Sequence, residues 1–194
     1  ECFVRVRPLP KGSGLVFTDA VVGGSIPRNL IPAVEKGMRD IASKGVLTHS
    51  QVVDLEFEVH DGKYHDVDSD EASFKMAGAR AFMDAFHKAH PVLLEPVMEM
   101  RISIPTECAG AIFSDLTSHR RAHVLDQWTE GEGRTTVIKA HAPLSAIQTY
   151  QRDLKSLTAG EGVYTVTLAD YSPVPAAEQQ RLLAQIGRKH EFED

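Results

Sequence analysis

The sequence is poor in cysteine: Cys2 and Cys108 are the only two in 194 residues, and they stand far apart. A disulfide-stapled domain needs several cysteines, and a thiolate zinc site needs them closely spaced, so this sequence predicts neither. Reduced thiols in a cytoplasmic protein are the simpler interpretation.

Long apolar runs and an excess of positive charge are also missing. No run approaches the roughly 20 residues that cross a membrane, and no signal-peptide pattern is present, so we expect no membrane partner. The formal net charge of −6 argues against a protein that holds nucleic acid mainly by counterion release. A few cations gathered at one place would still be able to contact RNA.

The chain starts at Glu1 and a strand pattern follows at once, so we expect a piece of a longer protein. Its length suffices for two small domains, each with a buried core. The domains are predicted at 1–93 and 94–172, with a closing helix and tail over 173–194.

The first half predicts a small sheet covered by two helices. Strand patterns occupy 2–8 and 15–22, and a helix follows with Pro27 near its first position. Apolar and acidic residues then alternate over 53–59, which indicates a strand with one buried face. A second helix, rich in Ala and Phe, is predicted over 69–89, and its Gly78 would permit close backbone approach.

A polar tip lies between that strand and the second helix. Asp61 and Gly62 predict a tight turn, and Asp68 is placed to cap the helix, with Glu71 as its reciprocal partner. Loops on rigid scaffolds commonly carry function. We therefore predict a functional tip formed by Lys63, Tyr64, His65 and Asp66.

Beyond an apolar connection at 92–96, one pattern occurs twice. Each copy reads strand, helix, strand, and a turn at 130–133 joins the two copies. This order predicts a ferredoxin-like βαββαβ sandwich. A closing helix is predicted from Pro175 to Gly187, with a charged tail from Arg188 to Asp194. The predicted fold class is therefore α+β, in two domains.

Two possible ligand sites have simpler structural explanations. His60, His65, Asp66 and Asp68 lie around a switch from strand to helix that points side chains apart, so we expect no metal site. A metal-dependent hydrolase using His60, His65 and Asp68 is the least favoured function. Gly23 and Gly24 lack the further glycines and the Lys-Ser/Thr pair of a phosphate-binding loop. A permissive turn explains them better.

A possible catalytic triad falls within one predicted helix. A single helix does not orient three such groups around one oxyanion site, and no nucleophile elbow accompanies them, so we expect no catalytic residue here. The residues concerned are Ser114, Asp115, Ser118 and His119.

The basic pair that ends this helix has two interpretations. Arg120 and Arg121 complement the helix dipole, or they contact phosphate, and the sequence leaves both open. Trp128 is the only tryptophan; base stacking is conceivable for it, although a half-buried strand aromatic is favoured.

Four motifs follow one another along the chain: Gly23–Pro27, Ile31–Gly37, Tyr64–Ser69 and Pro91–Pro96. In this order they resemble the elongation factor G family of translational GTPases. The similarity covers nearly the whole chain and corresponds to the fourth and fifth domains of that family. From the resemblance we expect the GTP-binding domain to be absent from this sequence, and the first strand and glycine-rich first tip loop of the fourth domain to be missing or truncated.

The resemblance implies a fold and a partner. The fourth domain of the family contains a left-handed βαβ crossover, an exception to the right-handed rule. Its tip enters the small-subunit decoding region of the ribosome, beside tRNA and mRNA, and His65 stands at the position of the tip histidine. The fifth domain lies near large-subunit RNA at the GTPase-associated region, where His119, Arg120 and Arg121 match a basic helix end.

The resemblance also implies an activity housed elsewhere. The longer protein would be a cytoplasmic, monomeric GTPase that uses GTP and Mg²⁺ to promote translocation, while these residues would hold no cofactor and perform no catalysis. Three residues or runs depart from the family pattern: Ala122 replaces a glycine, Ile147–Tyr150 keeps only the tyrosine of a Phe-Gly-Tyr run, and Glu161 replaces a basic residue between two glycines. Glu161 would repel phosphate, which weakens the expected RNA contact of the fifth domain. The alternative is a divergent paralogue that binds ribosomes in recycling or protection without translocation.

Overall fold

The structure is a computed structural model of the protein that describes the backbone of residues 1–190 and the side chains of residues 1–186. The chain divides into two compact units. The first comprises Glu1–Pro91 and the described residues from Gln180 onward, and the second comprises Val92–Gln179. This mixed architecture confirms the predicted fold class. The last four residues of the predicted tail lie outside the described residues.

The first unit is a three-stranded sheet with two helices packed against it. Its sheet order is β1-β3-β2, and β3 is antiparallel to β1 and parallel to β2. The connection from β2 through α1 to β3 is therefore a crossover between neighbouring parallel strands. In chain order the elements are β1 (Cys2–Pro8), β2 (Leu15–Asp19), α1 (Ile31–Lys44), β3 (Leu55–Gly62) and α2 (Glu71–Lys88).

The alternation along β3 places its apolar side chains in the core of the first unit. Leu55, Phe57 and Val59 are buried, and the ring of Phe57 meets the ring of Phe82 in α2 edge-on, with 5.7 Å between centroids. Such pairs add to the stabilisation that comes from burial. The sheet and its two covering helices thus share one core, as the sequence predicts.

Two glycines let α1 and α2 pack backbone against backbone. A Cβ atom on Gly37 would lie 1.9 Å from the carbonyl oxygen of Lys75, and one on Gly78 would lie 2.5 Å from the carbonyl oxygen of Val34. No side chain larger than hydrogen fits either position without moving a helix. The close approach predicted at Gly78 is confirmed, and Gly37 is its reciprocal partner.

The predicted turn at Asp61 and Gly62 is wrong. β3 continues through both residues because β1 supplies hydrogen-bonding partners, and Gly62 pairs with Cys2. Glycine is required at this position for a different reason: a Cβ atom there would lie 2.5 Å from Cγ1 of Ile26. The polar tip therefore begins at Lys63, one residue beyond the strand.

The predicted helix cap at Asp68 is also wrong, because Asp70 caps α2. An Asp70 side-chain oxygen accepts a hydrogen bond of 2.7 Å from the backbone N–H of Ser73, and Oγ of Ser73 accepts one of 2.9 Å from the backbone N–H of Asp70. These two bonds form a capping box. The reciprocal partner of the cap is therefore Ser73, whereas Glu71 is only the first residue of the helix.

The second unit confirms the ferredoxin-like prediction. Its four strands form one antiparallel sheet in the order β5-β6-β4-β7, and the chain order is βαββαβ. A final helix, α5 (Ala176–His190), follows. The elements of the sandwich are β4 (Leu94–Pro105), α3 (Ala109–His119), β5 (His123–Glu130), β6 (Thr135–Pro143), α4 (Tyr150–Leu157) and β7 (Val163–Pro173).

The helices of the second unit cover one face of its sheet. Met100, Ile102 and Ile104 of β4 are buried on that face, together with Leu116 of α3 and Leu154 of α4. The second helix of the sandwich, α4, is short, and a 3-10 turn precedes it at Leu144–Ala146. Within residues 1–190, none of the helices is both long and apolar enough to span a membrane.

Candidate RNA-facing tip and basic helix end

The tip predicted from the sequence is an exposed turn between β3 and α2. Residues 63–68 are all exposed to solvent, and Val67 is 93% exposed. A side chain so open to solvent contributes nothing to the core of the first unit. The structure thus brings Lys63, Tyr64, His65 and Asp66 together at one end of the first unit.

Backbone atoms and two short side chains hold the tip in place. The backbone N–H of Lys63 donates to the carbonyl oxygen of Glu1 at 3.0 Å, and that of Asp68 donates to the carbonyl oxygen of His65 at 3.3 Å. The N–H of His65 donates to Oγ of Ser69 at 3.0 Å. The Asp70 cap then fixes the start of α2. The turn is ordered without using the imidazole of His65.

The imidazole of His65 is available to a partner. Within the part of the chain that the structure describes, side chains through residue 186, its ring makes no hydrogen bond or ion pair. A neutral imidazole offers one donor and one acceptor, so it can pair with an RNA base edge or a ribose hydroxyl. Its neighbour Tyr64 is 38% exposed. Partial burial, and then a hydrogen bond to the Asp66 carboxylate, raise the pKa of the Tyr64 phenol, which therefore stays a neutral donor.

The charge around the tip is not that of a phosphate-binding patch. Lys63 is the one cationic side chain among residues 63–68, and its Nζ lies 3.5 Å from a carboxylate oxygen of Glu1. Exposed carboxylates surround it at Asp61, Asp66 and Asp68. A partner RNA would therefore be recognised through position and uncharged groups rather than by neutralising many phosphates. Among the described residues, no group of three or more His, Cys, Asp or Glu side chains is arranged to hold a metal ion.

The second predicted contact, the basic end of α3, has a different character. The guanidinium of Arg120 is 12% exposed and donates through Nε to Asp115 at 3.1 Å and through Nη2 to Asp153 at 2.6 Å. Nη1 donates to the carbonyl oxygen of Ala146 at 3.2 Å, and the guanidinium lies 5.5 Å from the ring centroid of Tyr150. Arg120 thus joins α3 to α4 inside the second unit.

Arg121 is also paired within the second unit. Its two terminal nitrogens donate to both carboxylate oxygens of Glu95, at 3.2 and 2.5 Å. This bidentate pair with Glu95 is the first cause of a raised pKa at Arg121. His119 is the most open of the three residues, with a side chain 73% exposed and Nδ1 3.6 Å from Asp115. The sequence did not reveal that carboxylates satisfy both arginines.

The remaining sequence candidates have structural roles. Asp115 accepts a hydrogen bond of 3.1 Å from Nε of Arg120 and lies 3.6 Å from Nδ1 of His119. Trp128 donates from its indole to Glu130 at 2.8 Å, and the guanidinium of Arg101 lies 5.2 Å from its ring centroid. The Trp128 ring is thus already covered by a cation, which fits a strand aromatic better than a base platform.

Two family models match the chain in sequence order. The model described as elongation factor G, domain IV, matches residues 1–90, and the model described as elongation factor G C-terminus matches residues 92–182. These two matches identify the two units of this α+β protein as a pair of domains from a translation factor. The chain belongs to the elongation factor G family.

Individual relatives agree with this assignment. The chain is 40% identical to an elongation factor G of Aquifex pyrophilus over 95% of its own length. It is 44% identical to an elongation factor G-like protein of Mycobacterium tuberculosis over 96% of its length. A crystal structure of a Thermus thermophilus protein superimposes with a TM-score of 0.79 at 34% identity, covering 96% of this chain and 27% of that one. The chain spans 26% of the length of the Aquifex and Mycobacterium relatives.

Proposed function

We propose that this chain forms the ribosome-facing C-terminal domains of an elongation factor G-type GTPase. Residues 63–66 enter the small-subunit decoding region and occupy space beside the tRNA–mRNA helix, so that movement of the two RNAs is favoured in one direction. The observation that carries the proposal is the free imidazole of His65 on a turn whose backbone is fixed by other atoms.

The proposed mechanism is steric and needs a firm support behind the tip. The backbone-to-backbone packing of Gly37 against α2 and of Gly78 against α1 makes the two helices difficult to separate. Residues ordered in advance lose little conformational freedom on binding. A tip carried by such a support can therefore resist displacement when RNA presses against it.

The chemistry that drives this movement belongs to the rest of the complete polypeptide. GTP and Mg²⁺ would bind there, in a domain that the relatives' additional length leaves room for, and the complete protein would act on cytoplasmic ribosomes as a monomer. Residues 1–194 contribute contacts, with no catalytic step of their own.

We place the second unit against large-subunit RNA near the GTPase-associated region. The three residues at the end of α3 then have different roles. His119 and Arg121 face the partner, with side chains 73% and 44% exposed. Arg120, at 12%, joins Asp115 to Asp153 and stabilises the second unit. Arg121 has to exchange Glu95 for phosphate, which makes its contribution to affinity small.

The test is His65→Ala in the complete polypeptide, compared with His87→Ala, which removes an exposed histidine from the last turn of α2. We expect His65→Ala to slow single-round translocation by about ten-fold or more, equivalent to roughly 1.4 kcal/mol in the barrier. Ribosome-stimulated GTP hydrolysis should remain near the wild-type rate for both variants. Equal translocation rates for the two variants would remove the imidazole from the mechanism.

A second candidate function is a ribosome-binding factor that acts in recycling or protection without translocation. It is favoured by Glu161, which is exposed in the turn between α4 and β7 where the family carries a basic residue. It is also favoured by the pairing of Arg120 and Arg121 with carboxylates, which weakens contact with phosphate. Movement of tRNA by the complete wild-type protein at rates typical of a translocase would eliminate this candidate.

A further inference from the structure

We propose that residues 22–24 form a second RNA-contacting surface beside the tip, which touches ribose and base edges through backbone groups and the side chain of Val22. The inference rests on the proposed function, because that function puts this end of the first unit against RNA. The surface belongs to the loop of residues 20–27 between β2 and α1, called here the apical loop.

The topology of the sheet places the apical loop at the same end as the tip. β2 runs parallel to β3, and Asp19 at the end of β2 pairs with Val59. The next backbone N–H, that of Ala20, donates to the carbonyl oxygen of Val59 at 2.8 Å. Both strands therefore end at the same edge, β2 leading into the apical loop and β3 into Lys63.

The two ends of the apical loop are anchored. At its start, the backbone N–H of Val21 donates to a carboxylate oxygen of Asp19 at 3.0 Å. At its end, Ile26 is 1% exposed and lies where any side chain on Gly62 would stand. The apical loop is thus tied to the last residue of β3 before the tip. Little ordering is needed when a partner binds it.

The middle of the apical loop is left open. Val22 is 83% exposed, although a β-branched apolar side chain gains nothing from water. Gly23 and Gly24 follow with φ angles of 72° and 71°, and a Cβ atom on either would have no atom within 4 Å. These positive angles suit glycine, and the missing side chains leave the backbone groups accessible to a ligand. Packing within the protein does not account for this combination.

The charge at this end indicates which part of an RNA the apical loop contacts. Asp19, Asp61 and Asp66 are exposed carboxylates on the same edge, and they oppose the approach of phosphates. The backbone amides and Val22 carry no charge. They suit the uncharged parts of RNA, namely base edges and the ribose with its 2′-hydroxyl. Binding through such groups depends little on salt concentration.

Photo-crosslinking in the complete polypeptide on ribosomes tests the inference. p-Benzoylphenylalanine is placed at Val22, at Tyr64 in the tip, and at Val53, an equally apolar residue just before the opposite end of β3 that is 43% exposed. We expect crosslinks to RNA from positions 22 and 64 and none from position 53.

The outcomes separate the inference from the proposed function. Crosslinking at position 64 with none at position 22 overturns the inference and leaves the proposed function intact. If neither position 22 nor position 64 crosslinks to RNA, the inference and the proposed function are both contradicted. If position 22 crosslinks only to ribosomal protein, the partner of the apical loop is protein and the inference is overturned.

The substitution Val22→Ala tests the proposed apolar contact of the Val22 side chain and leaves Gly23 and Gly24 unaltered. We expect ribosome binding about three- to five-fold weaker than wild type, as for the loss of apolar contact, with an unchanged slope of log affinity against log salt. Val53→Ala should leave binding unchanged. A change in the salt slope with Val22→Ala would contradict the assignment to ribose and base edges, and unaltered binding would contradict the contact itself.

Discussion

The tip of residues 63–66 and the basic end of α3 use polar residues in opposite ways. At the tip, backbone bonds and the Asp70 cap hold the chain, and the imidazole of His65 is left without an internal partner among the described residues. At the end of α3, the cations are the parts that hold the structure together, because Asp115, Asp153 and Glu95 bind them. Residue type alone therefore does not identify an RNA contact. What matters is whether the side chain is already paired within the protein.

The difference lies in which groups make the bonds. The tip is ordered by close neighbours, such as Ser69 four positions after His65 and Ser73 three positions after Asp70, and by one distant backbone bond from the Lys63 N–H to the carbonyl oxygen of Glu1. Arg120 and Asp153 are 33 positions apart, and Arg121 and Glu95 are 26 apart. Among the described residues, the bonds that order the tip do not use the imidazole of His65, whereas those at the end of α3 use both arginine side chains.

The largest expected effect concerns the support of the tip. Gly37→Ala would place a methyl group against the carbonyl oxygen of Lys75, so we expect the free energy of unfolding of the first unit to fall by about 3 kcal/mol. Urea denaturation followed by far-ultraviolet circular dichroism measures it. Gly110→Ala in α3 is the matched control, because a Cβ there meets nothing within 4 Å, and stability should be equal or slightly higher. If Gly37→Ala lowered the free energy of unfolding no more than Gly110→Ala does, α1 and α2 would not be in backbone contact.

The next effect tests whether Arg120 stabilises the second unit. Arg120→Ala leaves two largely covered carboxylates, Asp115 and Asp153, without their cation, and we expect a loss of about 2 kcal/mol. Arg152→Ala is the control: Arg152 pairs with the same Asp153 at 3.2 Å but is 80% exposed, so its loss should be about 0.5 kcal/mol or less. The fluorescence of Trp128, the single tryptophan, follows unfolding of this unit. Similar losses for both variants would show that the Arg120 network is not structural.

The smallest effect concerns the cap behind the tip. The hydrogen bond from the Ser73 backbone N–H, and then that from its hydroxyl, lower the pKa of Asp70 below the ordinary 3.8. The stabilisation from this carboxylate is therefore present above about pH 4 and is lost as the pH falls through the lowered pKa.

Asp70→Ala should accordingly lower the urea midpoint at pH 7 and lower it progressively less in acid, as measured by urea denaturation at several pH values. Asp70→Asn is the companion variant, since asparagine caps helices about as well without a charge. A penalty for Asp70→Ala that is independent of pH would assign the effect to packing and not to the ionised cap.

Sequence reasoning found the elements governed by periodicity and local chemistry. The alternation before Val59 predicted β3, and the order of strands and helices predicted the second unit. It missed the extension of β3 to Gly62, because the partner that prolongs the strand is Cys2, at the other end of the first unit's sequence. It missed the Asp70 cap because Asp68 and Asp70 offer the same chemistry two residues apart. The pairing of Arg120 with Asp153 could not be predicted because only the folded unit brings α4 to α3.

The most direct test combines translocation rate with stability for His65→Ala and Arg120→Ala in the complete polypeptide. Single-round translocation is measured at a temperature well below both thermal midpoints. The account predicts that His65→Ala is slower by about ten-fold or more with a wild-type midpoint, and that Arg120→Ala translocates within about two-fold of wild type with a lowered midpoint. A fast His65→Ala variant, or an Arg120→Ala variant that is slow while fully folded, would contradict it.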